Sequence, residues 1–119
     1  MKLMQMADNI KAKIQQLEDE GKQLDTLARD KATSLTNYEC ELAKTVMKLK
    51  NGVSLEIEGE TIINPPVSIM EKIAKGYCYK ERLKAELAES SYKNCNTRIE
   101  ILKAQLNGYQ SINKHLSEV

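Results

Sequence analysis

The sequence lacks the large aromatic residues with which most globular domains fill a core. Its 119 residues include no Trp and no Phe, and the aromatic content is limited to five tyrosines. Since a thick core is normally built around such side chains, their absence favours a thin core of Leu, Ile and Ala between helices. A chain of this length has room for one domain, so we expect a single domain over residues 1–119.

Catalytic, metal-binding and phosphate-binding motifs are also scarce. Cys40, Cys78 and Cys95 form no CxxC pair, and the single histidine, His115, has no Cys or Asp placed to complete a triad. No Gly-rich phosphate loop, HExxH or GxSxG motif occurs. We therefore expect no enzymatic activity, no metal site and no cofactor. An odd number of isolated cysteines is typical of reduced thiols, which favours the cytoplasm.

Charge and hydropathy disfavour two further classes. The chain has 18 basic and 17 acidic residues, and no segment has the excess of Lys and Arg that phosphate binding needs. Nucleic acid is therefore a disfavoured partner. No stretch approaches the ~20 apolar residues of a membrane span, and the amphipathic N-terminus lacks the apolar run of a signal peptide. We expect a cytoplasmic protein that has no membrane partner.

A heptad pattern dominates residues 3–49. Small or apolar residues return every three or four positions, which keeps one stripe of a helix against a partner helix. Asn51-Gly52 supplies a stop, so one long helix is predicted over 1–51. Gly21 lies on the stripe and marks either the close approach of a neighbour, the reading we favour, or a soft point in the helix.

The middle of the chain has a different period. Val53, Leu55 and Ile57 alternate with polar residues, and Gly59 offers a turn before the apolar residues 61–63. This pattern predicts a small β-hairpin.

Two prolines separate this hairpin from a second helix. Residues 52–67 therefore form the predicted hairpin and Pro turn. Ser68 and Glu71 have the spacing of a capping box, which predicts a helix start at about Ile69.

The second long helix is predicted over 68–117, with a break near 76–80 where two apolar registers meet. Its stripe has the same alternation of three and four: Ala85, Ala88, Tyr92, Cys95, Ile99, Leu102, Leu106, Tyr109, Asn113 and Leu116.

Two long helices joined by a compact element are expected to fold back on each other. We predict a mostly all-α fold, an antiparallel two-helix coiled-coil hairpin with a small β-hairpin at the bend. Placing Leu49 beside Met70 puts Gly21 near Arg98. Apolar residues outside the stripes favour a homodimer or higher oligomer that forms a helical bundle. The predicted coiled-coil core consists of Ile10, Ile14, Leu17, Leu24, Leu35, Tyr38, Leu42, Leu49, Tyr92, Cys95, Ile99, Leu102, Leu106 and Tyr109.

Candidate partner-binding residues gather toward the predicted bend. They are Tyr77, Tyr79, Lys72, Lys75, Lys80, Arg82, Lys48 and Lys50. The lysines bind phosphate only if they escape the neighbouring glutamates, and a mixed surface of weak ion pairs is the simpler interpretation. A tyrosine can anchor a protein interface or stack on bases. In a continuous helix Tyr77 and Tyr79 point about 160° apart, so one of them is expected to pack inward.

One segment resembles small early-region accessory proteins of phages and prophages of Gram-positive bacteria. It comprises Pro66-Val67-Ser68-Ile69-Met70-Glu71-Lys72-Ile73-Ala74-Lys75-Gly76, then Leu83-Lys84-Ala85-Glu86-Leu87-Ala88-Glu89 and Tyr92. The resemblance implies a non-catalytic phage protein in the cytoplasm of a bacterial host cell. Such proteins often inhibit host or defence proteins, or assist replication and recombination. No binding residue is carried over from the resemblance.

The predicted architecture also resembles prefoldin, whose subunits are coiled-coil hairpins with β-hairpins at the bend. That likeness implies a chaperone clamp that uses the free helix ends, with Met1, Met4, Met6 and Leu116 as its apolar tips. Architecture alone does not fix function. Our leading hypothesis is a binding protein that modulates or inhibits an unidentified host or defence protein. The alternatives are the chaperone clamp and a DNA replication or recombination factor that binds nucleic acid through lysines near the bend.

Overall fold

The structure is a computed structural model that describes residues 3–117. It contains three helices and one two-stranded antiparallel sheet within that range. The elements are α1 (Leu3–Lys50), β1 (Leu55–Ile57), β2 (Glu60–Ile62), α2 (Val67–Tyr77) and α3 (Tyr79–Ser117). The predicted mostly helical class with a small β-hairpin is confirmed.

The residues group into two compact units. One combines the residues up to Ala28 with those from Ser90 onward, and the other is Arg29–Glu89. The contacts divide α1 and α3 between these two units, and the single domain over residues 1–119 stays a prediction. We describe each unit by itself.

The unit Arg29–Glu89 has a small apolar core at the point where α1 ends. Leu49, Leu55, Met70 and Ala74 are buried together, and α2 contacts β1. Leu42, Val46 and Ile73 pack against this cluster while remaining partly exposed. Leu49 and Met70 therefore share one core, as the antiparallel alignment predicted. This core fixes the hairpin and α2 to the end of α1.

The end of α1 has the hydrogen bonds of a Schellman motif. The Gly52 amide donates to the Leu49 carbonyl at 3.2 Å and the Val53 amide to the Lys48 carbonyl at 2.9 Å. Gly52 has φ +78°, and an added Cβ would lie 3.3 Å from the Asn64 Oδ1. The glycine therefore ends the helix in a conformation that disfavours any side chain.

The two strands of the hairpin are shorter than the alternating apolar segment, residues 53–63, from which the hairpin was predicted. Leu55 pairs with Ile62 and Ile57 with Glu60, so only Glu58 and Gly59 lie in the turn. Both have positive φ, 49° and 81°, which is the pattern of a type I′ turn and matches the twist of the strands.

The second helical segment begins earlier than the capping box predicts. Helix α2 starts at Val67, and the Ile69 amide donates to the Pro66 carbonyl at 3.0 Å. No side chain caps this end. The predicted start at about Ile69 agrees with the observed start to within two residues, although the N-cap position is occupied by Pro66 rather than by the Ser68 of the predicted capping box.

A single residue, Cys78, separates α2 from α3. Its amide still donates to the Ala74 carbonyl at 2.9 Å, and its carbonyl accepts from the Arg82 amide at 3.1 Å. Its φ and ψ of −92° and 27° lie outside the helical range. The interruption therefore redirects the chain without losing these helical hydrogen bonds, and it falls inside the range 76–80 where two registers meet.

In the other unit, the contact between α1 and α3 is centred on Cys95, whose side chain is completely buried. Its thiol donates to the Glu20 carboxylate at 3.3 Å, and the Arg98 Nε lies 3.2 Å from both oxygens of that carboxylate. Glu20 directly precedes Gly21, so the predicted proximity of Gly21 and Arg98 agrees with this pairing to within one residue.

The stripe predicted on α3 is the one that is covered. All ten of its residues are buried or half-buried, and they are Ala85, Ala88, Tyr92, Cys95, Ile99, Leu102, Leu106, Tyr109, Asn113 and Leu116. On α1 the outcome is mixed: Leu49 is buried, and the half-buried residues are Ile10, Leu17, Leu24, Tyr38 and Leu42.

Two residues of the predicted core are not covered by the chain itself. Ile14 and Leu35 are 41% and 44% exposed. In one unit Glu20 faces Cys95, which turns Gly21 and Ile14 away from α3. In the other unit Ser34 is buried and the adjacent Leu35 is turned outward. At positions 14, 21 and 35 the covered residue of α1 is therefore the one before the predicted residue, while the other residues of the predicted core on α1 are covered as expected.

Gly21 also differs from the interpretation we favoured. A Cβ added at this position would meet nothing within 4 Å. No neighbour in the described chain needs the space of a missing side chain, so close approach does not explain this glycine.

Candidate partner-binding surface

A groove lies between the β-hairpin and the junction of α2 with α3, within the unit Arg29–Glu89. We call it the tyrosine groove. Its volume is about 820 Å³, and its lining residues are Glu56, Ile57, Glu58, Gly76, Tyr77, Tyr79, Lys80 and Glu81. The buried core beneath it holds β1 and α2 in place, so its walls are set by the fold.

Both candidate tyrosines line this groove. Tyr77 is 42% exposed and Tyr79 is 60% exposed. The expectation that one of them packs inward is wrong, because it assumed a continuous helix. Tyr77 ends α2 and Tyr79 begins α3, and the non-helical Cys78 between them brings both rings to one surface.

The charge of the tyrosine groove is negative. Glu56, Glu58 and Glu81 contribute three carboxylates, and among the described residues of the lining Lys80 alone is basic. The Lys80 ammonium lies 5.9 Å from the centre of the Tyr79 ring, which is within the range of a cation–π contact. The groove can therefore accept a positively charged group and repels a phosphate.

The other predicted basic residues do not belong to this groove. Lys75 pairs with Glu71 at 3.4 Å and Arg82 with Glu86 at 3.1 Å, each within one turn of its own helix. Arg82 and Lys50 line two different pockets. Lys72 is exposed, and Lys48 and Lys50 lie in the last turn of α1. The eight candidates are therefore divided among several surfaces.

The cysteines have structural surroundings. Thr45 uses its one hydroxyl proton to donate to the Glu41 carbonyl at 2.8 Å, so the Cys78 thiol donates to the Thr45 Oγ1 at 3.3 Å. Burial raises the pKa of the Cys95 thiol, and the hydrogen bond to Glu20 and its charge raise it further, while Arg98 opposes them. Both buried thiols are therefore hydrogen-bonded, and Cys40 is exposed.

The part of the chain that the structure describes contains no candidate metal site and no candidate membrane span. Over residues 3–117 no three His, Cys, Asp or Glu side chains are arranged to hold a metal ion. His115 is exposed in the last turn of α3. None of the helices in this range has the length and apolarity needed to cross a membrane.

The helix ends proposed as apolar clamp tips differ from one another. Met4 is 79% exposed, whereas Met6 is 1% exposed and Leu116 is half-buried. Met1 lies outside the described residues. Among the described tip residues, Met4 alone presents a largely exposed side chain.

Sequence reasoning identified the tyrosines and the glutamates near the bend, but it did not place Glu56, Glu58 and Glu81 in one groove with the tyrosines. The alternation of Glu56 and Glu58 with apolar residues was available as a signal, since it predicts that both carboxylates leave the same face of a strand. The missing information was the position of the hairpin against the helix break, which depends on the core around Leu55.

No known protein family, curated protein or solved structure matches the chain in our comparisons.

Proposed function

We propose that the chain is a non-catalytic binding protein that modulates or inhibits another protein by occupying its surface. One observation carries the proposal: two exposed tyrosines line a single groove whose rim has three carboxylates and one lysine. The groove is the surface that we assign to the partner.

Tyrosine suits this role for physical reasons. Its ring buries a large area, its hydroxyl keeps a hydrogen bond to water or to a partner, and few rotamers are lost on binding. Tyrosines are accordingly enriched among the residues that dominate interface energies. Two of them, in a groove fixed by a buried core, provide an anchor that requires little reorganisation.

The carboxylates select the chemistry of the partner. An apolar segment flanked by Lys or Arg would place its cations against Glu56, Glu58 and Glu81. Charge complementarity of this kind raises association rates and rejects acidic surfaces. We therefore propose a basic segment of a protein as the occupant.

The same charges weigh against the nucleic-acid alternative. A phosphate backbone would meet three carboxylates in the tyrosine groove, and Lys75 and Arg82 already pair with glutamates. The counterion release that supports nucleic-acid binding requires uncompensated cations. The resemblance to phage accessory proteins supports a host or defence protein as the partner, in the cytoplasm of a bacterial host.

The proposal is tested by affinity capture from a bacterial lysate with matched baits. The baits are the wild-type chain, the double variant Tyr77→Ala/Tyr79→Ala, and Leu83→Ala. Leu83 is a suitable control because it is 53% exposed near the start of α3 and does not line the groove. Each capture is made with and without nuclease, and retained proteins are identified by mass spectrometry.

We expect a protein that survives nuclease, that Leu83→Ala retains and that the double variant loses. Far-UV circular dichroism should show equal helicity for all three baits. Equal capture by the double variant would refute the tyrosine groove as the binding surface. Loss of capture with nuclease, or a broad set of unfolded clients, would instead support the nucleic-acid or the chaperone alternative.

A further inference from the structure

A second groove lies between α1 and α2 in the unit Arg29–Glu89, and we call it the α1 groove. Its volume is about 470 Å³. The apolar part of its lining consists of Leu42, Ala43, Val46, Val67 and Met70, and the charged part of Glu39, Lys50 and Glu71. Val67 is 75% exposed, so within one chain the apolar wall of the groove stays in contact with water.

Four residues of α1 that line this groove form one narrow stripe. Glu39, Ala43, Val46 and Lys50 are spaced four, three and four apart, so at 100° per residue they fall within about 60° of the helix circumference. The stripe is acidic at one end, apolar in the middle and basic at the other end. Glu39 and Lys50 are about 16 Å apart along the axis.

The charges at the two ends of the stripe form no ion pairs with the described residues of the chain. Glu71, on the other wall, pairs with Lys75 at 3.4 Å. Within residues 3–117 neither Glu39 nor Lys50 has an ion-pair partner. Both side chains therefore remain able to pair with charges on another molecule.

The stripe is complementary to itself. Glu39 and Lys50 are equally far from the midpoint between Lys44 and Thr45, and so are Ala43 and Val46. If a second copy of α1 lies antiparallel across a two-fold axis at this midpoint, each Glu39 faces the other copy's Lys50. Each Ala43 then faces the other copy's Val46, so a small side chain meets a branched one.

We propose that the α1 groove is the seam of a homodimer, in which the α1 helices of two copies pack antiparallel through these four residues. The interface is isologous, as is usual for two-fold dimers. The second copy covers the exposed apolar side chain of Val67. This inference stands independently of the tyrosine groove, which shares no lining residue with the α1 groove.

The charge pattern favours this arrangement over a parallel pair of helices and over antiparallel pairs in another register. A parallel pair would place Glu39 against Glu39 and Lys50 against Lys50. An antiparallel pair shifted by one heptad would leave both charges facing uncharged or non-helical residues. The reciprocal pairing of opposite charges occurs only with the axis between Lys44 and Thr45, as charged pairs often set register in helical interfaces.

The test is a charge-swap series measured by sedimentation velocity over a range of protein concentrations. Glu39→Lys and Lys50→Glu each turn two attractive pairs into two repulsive pairs, and at the modest strength of exposed ion pairs we expect dimer dissociation constants raised about tenfold. The double variant Glu39→Lys/Lys50→Glu restores opposite charges across the seam, so we expect it to dimerise like the wild type.

Lys48→Glu is the matched control, because it makes the same charge change in the same last turn on the opposite face of α1. It should leave the dimer intact. Ala43→Glu, at an exposed position of the stripe, should give a monomer whose helicity by circular dichroism equals that of the wild type. A wild-type monomer at every concentration would overturn the proposal, as would failure of the double swap to restore dimerisation, or an equal loss of dimer with Lys48→Glu.

Discussion

Leu49 and Leu35 separate the effect of burial from the effect of heptad position. Both leucines occupy the same position of the heptad pattern on α1, fourteen residues apart. Leu49 is 1% exposed and belongs to the core with Leu55, Met70 and Ala74, whereas Leu35 is 44% exposed. The substitutions Leu49→Ala and Leu35→Ala therefore remove the same atoms from different surroundings.

The expected magnitudes differ severalfold. A buried Leu→Ala substitution costs about 2.7–5 kcal/mol, according to how far the site collapses. The core around Leu49 is built from α1, β1 and α2, so its neighbours are held by three elements, and we expect about 3 kcal/mol. For Leu35 the transfer term is about halved, and alanine's higher helix propensity offsets part of it, so we expect about 1 kcal/mol or less.

Urea unfolding followed by far-UV circular dichroism gives the free energy of unfolding of both variants. Thermal unfolding followed by the same signal gives their melting temperatures. Protein concentration must be held constant, since self-association adds to apparent stability. At a few degrees per kcal/mol, the melting temperature should fall by about 10 °C for Leu49→Ala and by only a few degrees for Leu35→Ala. If Leu35→Ala lowered the free energy of unfolding as much as Leu49→Ala, the burial described here would be wrong and the heptad assignment correct.

Three further predictions concern single positions. Gly52→Ala places a Cβ at φ +78° and 3.3 Å from the Asn64 Oδ1, so it should lower the free energy of unfolding by about 1–2 kcal/mol; an unchanged urea midpoint would contradict the strain. Gly21→Ala meets no neighbour within 4 Å in a helix, so it should raise the free energy of unfolding by about 0.5–1 kcal/mol, and a decrease in the urea midpoint would indicate a contact at Gly21. The raised pKa of the Cys95 thiol adds stability that is complete below the unfolded pKa of about 8.5 and is lost as pH rises through the folded pKa. The melting temperature should therefore fall more steeply above that pH in the wild type than in Cys95→Ala, and parallel curves would refute the linkage.

The two long helices were not equally predictable, although their patterns look alike. On α3 the apolar stripe includes Ala85 and Cys95, small residues that allow a neighbouring helix to approach, and it is the stripe that is covered. On α1, one of the two core positions of each heptad can be filled either by the predicted residue or by the residue before it, so the pattern leaves a choice. In the unit that contains Cys95, Glu20 makes that choice, because its carboxylate accepts hydrogen bonds from Cys95 and Arg98. A hydrophobicity pattern cannot find a seam that a charged residue sets.

The candidate surface was partly predictable for a related reason. The sequence singled out Tyr77 and Tyr79 but placed them on opposite faces, because the two apolar registers that meet there give only the approximate place of a break. The direction of the chain after the break depends on the backbone angles of one residue, Cys78. Its thiol is held by Thr45, 33 positions earlier, and a contact at that separation leaves no local signal.

At position 58 the turn and the proposed function favour different residues. It has φ 49° in a two-residue turn, a position where Asn, Asp or Gly is preferred and glutamate carries a steric cost. Its carboxylate also lies on the rim of the tyrosine groove. A library of position 58 variants sorted for heat resistance should drift toward Asn or Gly, while one sorted for partner capture should retain an acid.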